Sequence, residues 1–215
     1  CWKAGGGTTS SNTDGTITSD VQANTEAGFS IVSWTSTSSS SDTIGHGLGS
    51  KPDVVLYKKR TGSGSWFWYT DVIDGSWDEL VLNDTSAKSD FAGTYATSTT
   101  FKSVTSSSGA DWITYCFHSV PKYSKFGTYA GSGSNVNVVT GFQPTFVLVK
   151  STGVEDWNIM DSTRGGSERL FPNDSRAEST TTNACIFNSD GFTIGVTGNA
   201  SLNNAGDNYI YMAFK

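Results

Sequence analysis

The sequence predicts an all-β protein made of two tandem, internally duplicated antiparallel β-sandwich units of about 90 residues each. Three observations carry that prediction. First, Pro52-Asp53-Val54-Val55-Leu56-Tyr57-Lys58 returns as Pro144-Thr145-Phe146-Val147-Leu148-Val149-Lys150. Each is a short apolar run entered through a proline and left through a lysine, as a buried strand ending in water would be. Second, the flanks repeat in the same order: Ser30–Ser36 answers to Lys125–Gly131, Trp66 to Trp157, and Leu80–Thr85 to Leu170–Ser175. Phe101 then answers to Phe192, and Ile113–Phe117 to Ile210–Phe214. Third, no long stretch has the 3.6-residue apolar period of an amphipathic helix.

Composition narrows the class further. Apolar content is only 35%, and serine and threonine fill about a quarter of the chain, well above the usual share. Disordered chains are poor in aromatics, whereas this one has 7 Trp, 8 Tyr and 12 Phe. Thin cores closed by large rings under a polar surface fit an exterior β protein. The net charge of −6 argues against nucleic acid as a partner, because neutralising phosphates takes a basic patch. With no run of 18 apolar residues, no membrane insertion is expected. Cys1, Cys116 and Cys185 are odd in number and lack metal-type spacing, so buried reduced thiols are expected in place of a disulfide framework.

Taken in order, residues 1–27 read as the end of a preceding repeat plus a Gly/Ser/Thr-rich linker. Cys1-Trp2-Lys3 resembles Cys116-Phe117-His118 and Ala213-Phe214-Lys215, the ends of the two repeats, so the chain is expected to be the distal part of a longer protein. Thr16-Ile17-Thr18 and Val21 alternate enough to add an edge strand. Repeat one covers 28–121. It opens on the β-branched and aromatic strand Phe29–Thr35. In Ile44-Gly45-His46-Gly47-Leu48-Gly49, alternate glycines permit positive φ and close backbone approach. Trp66-Phe67-Trp68-Tyr69-Thr70 is a strand with Trp66 and Trp68 on one face and Phe67 and Tyr69 on the other. Glu79–Leu82 is another strand, closed by an Asx-type turn at Asn83-Asp84-Thr85 that Asn173-Asp174-Ser175 repeats. Ala87-Lys88-Ser89 is expected to form one helical turn. Thr99–Val104 and Asp111–Phe117 finish the unit. Repeat two covers 122–215, with a hairpin turn at Asp190-Gly191.

Three side chains are candidate surface binding residues. Trp68 and Trp77 lack an aromatic counterpart in repeat two, and exposed rings stack on sugars and anchor interfaces. His46 could line a ligand pocket, although a structural hydrogen bond explains it more simply. Asp71, Asp74, Asp78 and Glu79 crowd one loop. Two carboxylates at suitable separation could hydrolyse a glycoside, and several could hold Ca²⁺, but a solvated acidic loop is the plainer reading. No GxSxG, HExxH, CxxC or dinucleotide motif occurs. Catalytic residues, a metal and a cofactor are therefore not expected.

Several motifs also resemble a family. Trp2–Thr8, Ser11–Ile17, Gly28–Val32 and Gly45–Gly49 are similar to an uncharacterised repeat domain of tailed-phage virion structural proteins, many from marine and cyanobacterial hosts. Tyr115-Cys116-Phe117, Tyr123–Gly127 and Thr140–Pro144 with Phe146-Val147-Leu148 match its other hallmarks. The resemblance implies a tail-fibre or spike module on the virion exterior, acting extracellularly and without enzymatic activity. Its expected partners are two further copies of itself in a homotrimer, other virion proteins, and a host cell-surface glycan or protein. A capsid decoration protein is the alternative, and a polysaccharide depolymerase using the Asp71–Glu79 loop is a third reading.

Overall fold

The computed structural model describes residues 4–103, 108–195 and 199–215. Every regular element among them is a β-strand. The first ten are β1 (Ser10–Asn12), β2 (Ser19–Asn24), β3 (Phe29–Thr35), β4 (Thr43–Gly45), β5 (Val54–Lys59), β6 (Trp66–Thr70), β7 (Asp78–Val81), β8 (Ser89–Asp90), β9 (Thr100–Lys102) and β10 (Asp111–Phe117). The rest are β11 (Ser124–Ala130), β12 (Val136–Val139), β13 (Phe146–Ser151), β14 (Trp157–Asp161), β15 (Glu168–Arg169), β16 (Ser179–Thr180), β17 (Ile186–Asn188), β18 (Gly191–Ile194) and β19 (Asn208–Phe214). The chain forms two compact units. Unit 1 takes Cys1–Asp71, Ser76–Glu79 and Asp90–Val120, and unit 2 takes Val72–Gly75, Leu80–Ser89 and Pro121–Lys215.

Unit 1 is organised by a sheet in the order β1-β2-β3-β10-β5-β6-β7-β8, with β4 and β9 paired separately. Alternation along the strands decides which side chains meet. Val32 and Trp34 from β3, Val55 and Tyr57 from β5, Tyr69 from β6 and Trp112 and Cys116 from β10 share one face. They pack with Ile44 of β4 and Phe101 of β9 into a single buried core. Rings dominate it: Trp34 stacks on its cross-strand partner Trp112 at 5.8 Å, and Tyr69 on Tyr95 at 4.1 Å. Each large apolar side chain so buried contributes about 1.5–3 kcal/mol.

Unit 2 has a four-stranded sheet in the order β11-β19-β13-β14 and a three-stranded one in the order β12-β18-β17. Tyr129, Val147, Val149, Met160, Tyr209 and Tyr211 from the first meet Val138, Phe192 and Ile194 from the second. Both faces of β19 are covered, since six of its seven residues are buried. An apolar run without polar alternation is what such a strand requires.

The same positions recur in both sheets. β3-β10-β5-β6 and β11-β19-β13-β14 each run first strand, last strand, proline-entered strand, tryptophan-led strand. Lys58 pairs with Trp66 as Lys150 pairs with Trp157, and Trp34–Trp112 corresponds to the stacked pair Tyr129–Tyr209, 5.0 Å apart. The Asx turn also recurs. The Asp84 carboxylate accepts from the Ser86 amide at 2.9 Å, and Asp174 from the Arg176 amide at 3.0 Å. The preceding carbonyls Val81 and Phe171 accept from Asp84 and Asp174 in the same way.

Three expectations give way to the structure. Residues 4–27 are not a linker throughout: β1 and β2 extend the unit 1 sheet, and Val21 and Ile17 are buried in its core. The strand expected at Val21 is present as β2, second from the edge of the sheet, while Ile17 lies before it and bridges to Ile44. Ala87-Lys88-Ser89 forms no helical turn, and Ser89 begins β8. The hairpin turn sits one residue earlier, at Ser189-Asp190, because Asn188 pairs with Gly191. Residues 1–3, which carry the preceding-repeat reading, and residues 104–107 lie outside the described residues.

Gly191 explains the shift. A Cβ there would overlap the Val138 carbonyl oxygen on the neighbouring strand, so only glycine lets β12 and β18 approach. Gly191→Ala is expected to cost about 1–3 kcal/mol through forced separation of the strands. Urea denaturation of the two proteins measures it, and an unchanged midpoint would contradict the close approach.

Candidate functional site

The three residues expected at the surface are all buried: His46 is 0% exposed, Trp68 2% and Trp77 5%. Register places Trp68 in the middle of β6 opposite Leu56, on the face shared with Trp66 and Thr70. Trp66, at the strand's start, keeps partial exposure, whereas Trp68 and Thr70 are covered. Trp77 packs on Tyr95 at 5.5 Å, and the Lys51 ammonium lies 5.8 Å from its ring centre. The His46 ring is a structural bridge. Its Nδ1 accepts from the Leu48 amide at 3.2 Å, which leaves the proton on Nε2 to donate to the Thr97 carbonyl at 3.3 Å. Burial lowers its pKa to about 4, so the ring is neutral. None of the three offers a surface for a ligand.

The acidic loop is also taken up by local structure. Asp71 is ion-paired with Lys51, and Asp74 with Lys88 at 3.2 Å. Glu79 accepts from the Tyr69 hydroxyl. Asp78, expected in solvent, is fully buried.

The most unusual polar chemistry lies in unit 2, on β14 and β15 and the turns beside them. Arg169 is only 8% exposed, yet it makes no ion pair with any described residue. Its hydrogen bonds all run through Nη1, to Asn158 Oδ1 at 2.8 Å and Ser201 Oγ at 3.4 Å. Nε is buried without an acceptor. Asn158, itself fully buried, is fixed by donating to the carbonyls of Asp156 and Ser201. Burial lowers the Arg169 pKa, and the nearby Arg176 charge lowers it further, with Asp156 opposing.

Arg176 is satisfied by contrast. It pairs with Asp156 and Asp174, each at 2.7 Å, and stacks 4.2 Å from the Phe171 ring centre. The Arg169 guanidinium lies 5.3 Å from the same ring. Asp156 is fully engaged, because Asn173 donates to its other oxygen at 2.8 Å while accepting from the Trp157 amide. One guanidinium therefore holds both local carboxylates and the other holds none.

A second buried cation sits close in sequence. Lys150 is 0% exposed, and its ammonium donates to the Ser151 and Gly153 carbonyls, each at 2.6 Å. Burial lowers its pKa to about 8, against the pull of Glu155, Asp156 and Asp84. Two carbonyls complete a turn around it, so its part is structural.

Sequence reasoning passed over Arg169 and Asn158, though a signal existed. By register and repeat they stand where unit 1 has Glu79 and Phe67. An asparagine pointing inward between apolar neighbours is the pattern of a buried polar site. The cysteines are as expected for reduced thiols among the described residues: Cys116 lies in the unit 1 core and Cys185 in the unit 2 core, both free. Burial pushes both thiols far above their ordinary range.

Comparison with curated proteins and with solved structures finds no match. A family model matches the chain along its whole length, residues 1–215, and describes a domain of unknown function, DUF7483. The protein belongs to that family.

Proposed function

We propose that this chain is a non-enzymatic structural module of a phage virion, part of a tail fibre or spike that contacts the host surface, and that its two units descend from one duplicated sandwich. One observation carries the reading. What recurs between the units is strand order, packing, the lysine at the strand end and the Asx turn, whereas polar side chains elsewhere differ between matching positions. Phe67 stands against Asn158, and Glu79 against Arg169. Selection that keeps a frame and lets its polar positions drift fits a scaffold whose contacts are tuned copy by copy. The resemblance of Gly45-His46-Gly47-Leu48-Gly49 and Thr140–Pro144 to virion proteins supports the location.

The test is immunogold electron microscopy of intact particles with an antibody raised against this chain. Label on fibres or spikes is expected. Label spread over the capsid would transfer the module to a decoration role, and label absent from the particle would end the virion reading.

A further inference from the structure

We propose that β12 is a pairing edge: the same strand of a second copy of this chain adds to it antiparallel, about a two-fold axis, and joins two unit 2 sheets into one. The proposal stands on unit 2 alone and does not depend on where the protein is located.

β12 ends the order β12-β18-β17, so one of its sides has no neighbouring strand among the described residues. Register says which backbone groups that side holds. The Thr140 amide donates to the Asp190 carbonyl at 2.9 Å, and alternate residues of a strand turn their amides the same way. The backbone groups of Val136 and Val138 therefore face β18, and those of Asn137 and Val139 face outward. No described residue takes up the outward N–H and C=O groups. Both residues are exposed, Val139 at 68%. An edge of this kind is a template for another strand.

The other edges of the two larger unit 2 sheets are blocked. On β17, Gln143 Nε2 donates to the Phe187 carbonyl at 3.4 Å. On β14, Ile159 exchanges two backbone bonds with Leu170. β11 carries the exposed Lys125, a charge that discourages pairing. β12 has no lysine, no proline and no such cap. It is also held in place: the Thr193 hydroxyl donates to Asn137 Oδ1 at 2.6 Å and accepts from Asn188 Nδ2 at 2.7 Å. That ladder of side chains pins the edge to its sheet, so little order has to be gained on pairing.

Two features select a second copy as the occupant. With Val138 on the two-fold axis, Asn137 of each copy stands opposite Val139 of the other. Each such pair exchanges two N–H···O bonds, which satisfies the outward groups of both residues on both copies. Charge points the same way. The chain carries a net charge of −6, so copies repel one another, yet Phe126–Val149 contains no charged residue. Two copies can meet along β12 without opposing like charges, and Val139 loses its exposure there.

The test makes two measurements on the intact protein. Sedimentation equilibrium between about 1 μM and 1 mM spans the range in which so small an interface acts, and a monomer–dimer equilibrium is expected. Hydrogen exchange is run at both ends of that range and read by NMR. The Asn137 and Val139 amides should slow about tenfold at the higher concentration, while the Val138 amide, already bonded to β18, changes little. Val139→Lys puts a charge on each exposed edge and should weaken dimerisation about tenfold. A protein that stays monomeric, that forms only trimers, or that associates while those two amides still exchange fast overturns the proposal. The first of these results would leave the edge to a strand of another protein. An unchanged dimerisation constant in Val139→Lys overturns it as well. The exchange readout uses the unaltered protein, so it stands even if that variant does not fold.

Discussion

Trp157→Ala is expected to destabilise the protein by about 3–5 kcal/mol, among the largest losses available from a single side chain in unit 2. The indole is fully buried and its contacts are specific. The ring nitrogen donates to the Val81 carbonyl at 2.9 Å, and the backbone amide donates to Asn173 Oδ1 at 2.8 Å. Truncation would open a cavity and remove the donor of a partly buried carbonyl, two costs that add. Trp157→Phe keeps most of the volume and should lose only about 1–3 kcal/mol. Trp66→Ala, at the matching position of the partly exposed β6 start, should cost less than Trp157→Ala. Urea denaturation of the three variants ranks them. A Trp157→Ala protein within about 1 kcal/mol of wild type would mean that the indole is not packed as described.

Acid should destabilise unit 1 through His46, and the effect is comparable in size. The ring is fully buried, and burial lowers its pKa from 6.5 to about 4. The hydrogen bond to Thr97 and the charge of Asp14 pull the other way, and His118 adds to the lowering. Between these two values the unfolded chain binds a proton that the folded chain does not. Stability from this group is therefore complete above pH 6.5 and falls as the pH drops towards 4, by about 3 kcal/mol in all. His46→Gln removes the titration, so its stability should vary less with pH across that window. Denaturation midpoints measured at steps from pH 7 to pH 4 decide the matter, and parallel profiles for the two proteins would refute it. Asp84, Asp161 and Asp174, whose hydrogen bonds lower their pKa values, contribute equally to both proteins and cancel in the comparison.

The strands that form the centre of each unit were legible because their side chains announce them. Val54–Lys59 and Phe146–Ser151 are apolar runs bounded by proline and lysine, and Phe29–Thr35, Trp66–Thr70 and Asp111–Phe117 are rich in rings and β-branched residues. β1 was not legible and β2 only in part: the alternation of Thr16-Ile17-Thr18 and Val21 signalled a strand there, but its other inward residues, Ser19 and Ala23, carry no hydropathy signal to mark its span. Trp68 and Trp77 misled for a related reason. A missing counterpart in the other repeat says that packing differs there, and a ring that fills a unit-specific gap in a core gives the same signal as one left on the surface. The buried polar cluster around Arg169 was invisible until strands were paired. Asn158, Arg169 and Ser201 are spread over more than 40 residues, and only the β14 register and the Ile159–Leu170 bridge bring the first two side by side.

Each core holds one unlinked cysteine, Cys116 in the first and Cys185 in the second, with its thiol kept protonated by burial. Alkylating reagents attack the thiolate, so neither sulfur reacts until the core around it opens. Among the described residues, each core thus holds its own natural clock. Brief exposure to iodoacetamide during denaturation, with modified peptides weighed by mass spectrometry, would time the opening of each half separately and without an engineered probe.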